Sequence, residues 1–277
     1  MDRQELHKHL KALEIGYFRA APPGFRSALK RAREMGEMFA AAFLALPVRD
    51  IDAELRKRLE AVAGMAGEHP GVRCALQGAC LHAAVFRHLR CKKERDPAGL
   101  IAVHAAAAGQ GCITQAFMWL ERADRDELAN AHGPDKAGQD SWNAAVKGAV
   151  SAAKVAYALS REGAKVRYPS AQIDVQNKID LVCGPVKGRT FCLQIKSSHE
   201  ESSRFIAISE EPRFSCVENR NFKTLHGTWR GVRLFNQKFG LDWTPVFVSV
   251  GRDGGGAGCI EWCDSLSKAA GEFLASL

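Results

Sequence analysis

Along the first half of the chain apolar positions recur at helical spacing, and along the second half they change to alternation. From residue 1 to about 131, Ala, Leu, Arg and Glu repeat with a period near 3.6, interrupted by Pro and Gly. This predicts helices at roughly 2–14, 24–46, 49–65, 71–92, 98–108 and 112–131. In "DIDAELRKRLEAVAG", Asp50 or Asp52 caps the start and Gly64 ends the run. Residues 131–141, "AHGPDKAGQDS", are polar and rich in Gly and Pro, and read as an exposed linker. The helix predicted next, over 141–162, gathers Val146, Val150, Ala153, Ala156 and Tyr157 into one stripe before Gly163 stops it.

The period then becomes two. "AKVRYP", "KIDLVCG" and "TFCLQIK" each alternate apolar and polar residues, as half-buried strands do. Gly184, Pro185 and Gly188 in "GPVKGR" supply a turn, so the last two strands form an antiparallel hairpin. A helix at 218–238, a strand "PVFVSVG" at 245–251, a short strand "CIEW" and a terminal helix complete the pattern. The organisation expected is an all-α domain over 1–133, followed by an α/β (α+β) domain over 141–277.

Composition narrows the class. At 277 residues with 46% hydrophobic and 25% charged positions, the chain is long enough for one large domain or two modest ones, each with its own core. The charge is +8, with +3 in residues 1–135 and +5 in 136–277, so the field attracts polyanions most strongly in the second half. No block of like charges forms a tail, so a basic surface has to be assembled by folding. "MDRQELHKHLKALEIG" lacks the apolar stretch of a signal peptide, and "MFAAAFLALPV" is too short to span a bilayer. Nine scattered cysteines, an odd number, fit reduced thiols. A cytoplasmic protein without membrane contact is expected.

The candidate chemistry sits in the hairpin. In "FCLQIK", alternation puts Cys192, Gln194 and Lys196 on one face and Phe191, Leu193 and Ile195 on the other. On the partner strand Ile179 and Leu181 point one way and Asp180 the other, so one hairpin brings Asp180, Gln194 and Lys196 together. Such groups beside an apolar core are costly unless paired or bound to an ion. A carboxylate with neutral oxygens holds Mg²⁺, which also takes phosphate oxygens and lowers the pKa of water. A neighbouring lysine orients the attacking water or neutralises developing negative charge. The plainer alternative makes Asp180 a local cap or ion-pair partner and Lys196 a snorkelling edge lysine.

"EGAKVRYPSAQIDVQNKIDLVCGPVKGRTFCLQIKSS", preceded by a long helix, resembles the catalytic core of the PD-(D/E)xK, or restriction-endonuclease-like, nuclease superfamily. The likeness is to branches with Gln before the lysine, such as Mrr-type nucleases, and it covers about residues 141–250. It implies a mixed sheet flanked by helices and a Mg²⁺-dependent DNA endonuclease, with Mn²⁺ as a substitute. By that pattern Asp180, Gln194 and Lys196 are catalytic, and Asp180, Gln194 and the Ile195 carbonyl ligate the metal. Restriction or phage defence is the setting it implies, with the helical half serving recognition, a protein partner or homodimer formation. Many members carry a Glu on the first helix, expected here near Ala152, where there is no acid. Glu162 and Asp174 are partial substitutes, but neither sits where the pattern asks, which leaves Asp180 as the one clear anionic ligand. A catalytically impaired nucleic-acid-binding module on the same fold and a helical adaptor protein are the alternatives.

Beyond the hairpin, "SSHEESSR" puts Ser197, Ser198 and His199 just past a strand end, with Ser198 a candidate phosphate contact. The helix "ENRNFKTLHGTWRGVRLFNQKF" offers Lys223 and Arg230 as DNA contacts, with Phe222, Trp229 and Phe235 for packing. Cys74, Cys80, His82, His88 and Cys91 match no standard zinc-finger spacing and read as helix packing, and Cys259 and Cys263 are no more persuasive as ligands. "GRDGGGAGC" lacks the Lys-Ser/Thr ending of a P-loop and reads as a flexible loop.

Overall fold

The computed structural model describes helical positions scattered between residues 107 and 126, and then residues 136–169, 171–213, 219–252 and 264–277. The expected helices before residue 98, the Cys74–Cys91 set, Cys259, Cys263 and the strand "CIEW" lie outside the described residues. The chain divides into two compact units, Met1–Ala149 and Val150–Leu277. In the first, Ile113, Thr114 and Phe117 are helical and buried, and the Gln110 side chain lies against Gly148. Among the described residues no helix is long and apolar enough to cross a membrane.

Helix α1 (Lys136–Arg161) begins inside the segment expected to be a linker. The Pro and Asp at 134 and 135 stand just before its first turn, where both residue types favour helix initiation. In the second unit α1 buries Ala152, Ala153, Val155, Ala156, Ala158 and Leu159, and its alanines allow close approach to a sheet.

That sheet has five strands in the order β1-β2-β3-β5-β4: β1 (Val166–Arg167), β2 (Leu181–Val186), β3 (Arg189–Ser197), β4 (Arg204–Ala207) and β5 (Thr244–Val250). Strands β1, β2 and β3 are antiparallel neighbours, β3 and β5 are parallel, and β4 closes the far edge antiparallel to β5. Three more helices complete the unit: α2 (Ala171–Asn177), α3 (Asn219–Phe239) and α4 (Asp264–Ser276). The result is a mixed α/β unit with a mixed sheet flanked by helices.

The predicted hairpin is present, with its turn later than expected. Strand β2 continues through Gly184 and Pro185 with a register irregularity, and the reversal falls on Lys187 and Gly188. Both have positive φ, 47° and 80°, as a two-residue hairpin turn requires. Two elements were not foreseen, helix α2 and edge strand β4, while "AKVRYP" contributes only Val166 and Arg167 as strand.

The two sheet faces are covered differently. On one, Leu181 and Cys183 of β2, Phe191, Leu193 and Ile195 of β3, and Val246, Val248 and Val250 of β5 form one core with α1 and α4. Phe273 of α4 meets Phe191 edge-on at 5.5 Å and stacks on Phe205 of β4 at 5.2 Å. On the other, α3 covers two separate clusters: Ile179, Val182, Cys192, Val232 and Phe235 in one, Ile208, Leu225 and Phe247 in the other.

Candidate functional site

Asp180 lies one residue before β2 begins, with its N–H donated to the Leu193 carbonyl of β3 at 2.8 Å. The preceding Lys178 has φ of 56° and donates its N–H to the Asp174 carbonyl at 2.8 Å, so α2 ends in a tight reversal immediately before the acid. This reversal corrects one detail of the expected alternation. Ile179 packs with Val182 and Cys192 on the α3 face, whereas Leu181 enters the opposite core, because strand geometry starts only at Leu181.

On β3, alternation holds as read. Phe191, Leu193 and Ile195 enter the α1/α4 core, and Cys192 joins the α3 cluster, which puts Gln194 and Lys196 on the α3 side. Gln194 is 3% exposed and its Nε2 donates to Asp180 Oδ2 at 2.5 Å. The Ile195 N–H donates to the same oxygen at 2.6 Å. In an extended strand the N–H and C=O of one residue point to the same side, so the Ile195 carbonyl also faces the edge where β2 has ended.

Asp174, one of the two acids named as partial substitutes, is the one brought to Asp180, although its position lies outside the family pattern. Helix α2 brings its carboxyl against Asp180, close enough to share a hydrogen bond. Burial, the Asp180 charge and that hydrogen bond push Asp174 up to about 8, against the pull of Lys196 and Lys178. Burial also raises Asp180, opposed by Lys196, the Ile195 N–H, the Gln194 amide and Asp174. Two N–H donors aimed at Asp180 Oδ2 favour its ionised form, so the pair's shared proton resides on Asp174, which donates to Asp180. The Lys196 side chain is exposed, yet its ammonium acts on both carboxylates.

Helix α2 is short and is located by tertiary contacts. Asn177 Nδ2 donates to the Gly231 carbonyl of α3 at 3.1 Å, and a Cβ at Gly231 would collide with the Asn177 backbone. The one helix residue type that permits this approach thus lies under the end of the segment carrying Asp174.

The helix position expected to carry an acid does not take part. Ala152 is 5% exposed in the α1/α4 core, and Ser151 beside it shares a 3.0 Å hydrogen bond with Ser197. Glu162 is exposed at the end of α1 near Gly271 of α4 and does not fill the role. Asp180 is therefore not the single carboxyl group of the site, because Asp174 supplies a second from α2. Among the described residues, no group of three or more His, Cys, Asp or Glu is placed to hold a metal. The donors present are two carboxylates, an amide oxygen and a backbone carbonyl, which suits Mg²⁺: it binds through one or two carboxylates and completes its shell from water and phosphate. Two adjacent carboxylates require a proton or a cation between them, and the proton on Asp174 marks that requirement.

The remaining candidates are more dispersed. Ser198 is half-buried just past β3, with Oγ accepting the Glu200 N–H at 3.0 Å. Lys223 and Arg230 are exposed on α3. Trp229 packs on the Ile208, Leu225 and Phe247 cluster with the Arg233 guanidinium 5.0 Å from its ring centre, and Phe235 is buried. Burial pushes the Cys183 and Cys192 thiols up to about 11 and about 12, so both are neutral core groups and not nucleophiles. Comparison with known proteins finds no matching family, no curated relative and no solved structure similar to this chain.

Proposed function

We propose that Val150–Leu277 has a restriction-endonuclease-like fold and acts as a metal-dependent endonuclease on DNA phosphodiester bonds. One observation carries this reading: Asp174, Asp180, Gln194 and Lys196, from three different segments, converge at the break in the apolar cover of one sheet face. The order of helix, antiparallel strands, crossover helix and parallel strand also supports it.

Asp174, Asp180, the Gln194 Oε1 and the Ile195 carbonyl are the groups that would hold Mg²⁺ or Mn²⁺. When bound, the cation supplies positive charge to the phosphate and acidifies water. Asp180 is oriented for this by Gln194 Nε2 and the Ile195 N–H, which both fix Oδ2. Asp174, which holds the proton shared with Asp180, would give it up if a cation were bound between the two carboxyl groups. Lys196, exposed at the end of β3, donates from Nζ to a non-bridging phosphate oxygen and offsets the charge gained in the transition state.

The direct test is incubation of the full chain with supercoiled and linear DNA in Mg²⁺ or Mn²⁺, beside Asp180→Ala and Lys196→Ala. Wild type is expected to nick or linearise the plasmid, and each variant to lose about 10²–10³-fold or more in rate. Cleavage that persists in both variants overturns the assignment. A second reading, a nucleic-acid-binding module without catalysis, rests on the donor set having only two carboxylates among the described residues. Binding with steep salt dependence but no cleavage in either metal selects it.

A further inference from the structure

Beyond the last residues of β3 and β5 the parallel pairing continues into the loops. The Ser198 N–H donates to the Val250 carbonyl at 2.7 Å, and the Arg252 N–H to the Glu200 carbonyl at 2.8 Å. The Gly251 N–H donates to Ser203 Oγ at 2.9 Å, and a Cβ on Gly251 would come within 2.7 Å of the Ser202 backbone. Residues 198–203 are thus held directly against 250–252. The start of the glycine-rich stretch, expected to be flexible, is fixed by hydrogen bonds.

On this platform Arg252 Nη2 lies 2.7 Å from His199 Nδ1. A guanidinium has only donors, so His199 Nδ1 accepts and its ring proton sits on Nε2. That leaves an exposed ring with one N–H to offer, beside a guanidinium with further N–H groups unspent in this bond. Ser198 Oγ accepts from the Glu200 N–H, so its hydroxyl proton also remains to donate. The Glu200 carboxylate is bound by Arg204 at 2.7 Å, and Glu201 is exposed.

We propose that Ser198, His199 and Arg252 form a subsite for a backbone phosphate flanking the one cleaved at Asp180 and Lys196. The proposal rests on the nuclease reading above. Three side chains that present donors suit a phosphodiester, which is anionic and offers only acceptors. The location also fits, because open α/β sheets bind ligands beyond the carboxyl ends of their parallel strands. His199 follows Lys196 by three residues, a reach of about 10 Å at most, which spans a few nucleotide steps at ~3.4 Å of rise.

The test uses the full chain and a fluorescently labelled 20-base-pair duplex in Ca²⁺, with anisotropy followed across salt concentrations and cleavage followed separately in Mg²⁺ and Mn²⁺. Arg252→Ala is expected to weaken binding about 5–10-fold and to lower the salt slope by about one. His199→Ala is expected to weaken it about 3-fold, and Lys268→Ala on α4 to leave it unchanged. Should Arg252→Ala melt early, Arg252→Lys keeps the charge and is expected to retain the wild-type salt slope. Unchanged affinity and slope in Arg252→Ala overturn the subsite, and if Asp180→Ala still abolishes cleavage, the nuclease reading survives that failure. Weaker binding at an unchanged slope also overturns it, since only a structural role has then been lost. Failure of the wild type to bind the duplex does so as well. If wild type cleaves nothing but Arg252→Ala still binds more weakly with a lower slope, the catalytic reading falls and the phosphate subsite stands.

Discussion

The two faces of the sheet are built from the same strands and differ in continuity. Toward α1 and α4, the central inward positions of β2, β3 and β5 are apolar, and one core runs across the face. Toward α3 the cover separates into a cluster around Cys192 and another around Phe247. Gln194, paired with Phe247 in the register, and Lys196 follow Cys192 on this second face, and Asp180 meets them at the start of β2. The continuous face supplies stability. The interrupted face gives up apolar contact to hold polar groups at fixed separation, as the proposed site would require.

Substitutions on one strand should separate the two roles. Leu193→Ala removes a fully buried side chain from the continuous core and is expected to cost about 2–5 kcal/mol of unfolding free energy, measured by denaturant titration. Lys196→Ala, three residues along the same strand, is expected to change stability by less than about 0.5 kcal/mol while removing nearly all cleavage. A Lys196→Ala protein that is as unstable as Leu193→Ala would mean that this lysine belongs to the core.

The next effect concerns how Asp174 is located. Gly231→Ala places a methyl group against the Asn177 backbone, so α2 has to shift. The expected cost is about 1–3 kcal/mol of stability, with cleavage reduced about 10-fold or more because the carboxylate pair is pulled apart. The readout specific to positioning is a higher Mg²⁺ requirement in the Gly231→Ala protein. An unchanged metal requirement would show that Asp174 does not depend on this contact.

These pairs also show what the amino-acid pattern alone makes legible. Period two was enough to assign Phe191, Leu193 and Ile195 to one face and Gln194 and Lys196 to the other, because side-chain direction in a strand is local. The hairpin was legible for the same reason, through Gly188 and its turn. Asp174 was legible as a spare acid but its placement was not, because "AQIDVQN" is too short to display a helical period and the contact that places it, Asn177 to Gly231, spans 54 residues. Nor was the meeting of His199 and Arg252, 53 residues apart, since it depends on β3 and β5 being parallel neighbours. The absence of an acid near Ala152 was visible, but its meaning changed once α2 supplied a carboxylate from another direction.

Gln194→Glu probes the interrupted face with a smaller perturbation. In the metal-free protein it exchanges a donor to Asp180 for a third carboxylate beside two others, and should cost about 1–2 kcal/mol. With Mg²⁺ the added charge becomes a ligand, so thermal stabilisation by the metal should exceed that of wild type and cleavage should persist. Loss of all activity in a folded Gln194→Glu protein would argue that the amide's donated hydrogen bond, and not its oxygen, is what the site requires.

The smallest effect is a slope in stability against pH. Asp174 is raised from the ordinary carboxylate range to about 8, so between about pH 4 and pH 8 the folded protein holds a proton that the unfolded chain releases. The stability this contributes is fully present below about pH 4 and is lost as pH rises through about 8. Metal-free melting temperatures should therefore fall more steeply over this range in wild type than in Asp174→Asn, whose amide has no proton to lose. Saturating Mg²⁺ should flatten the wild-type profile, because the cation replaces the proton between Asp174 and Asp180. Because the continuous face has no counterpart to this pair among the described residues, Leu193→Ala should lower the melting curve at every pH while keeping the wild-type slope. Parallel profiles for wild type and Asp174→Asn would instead remove the shared proton from the description of the site.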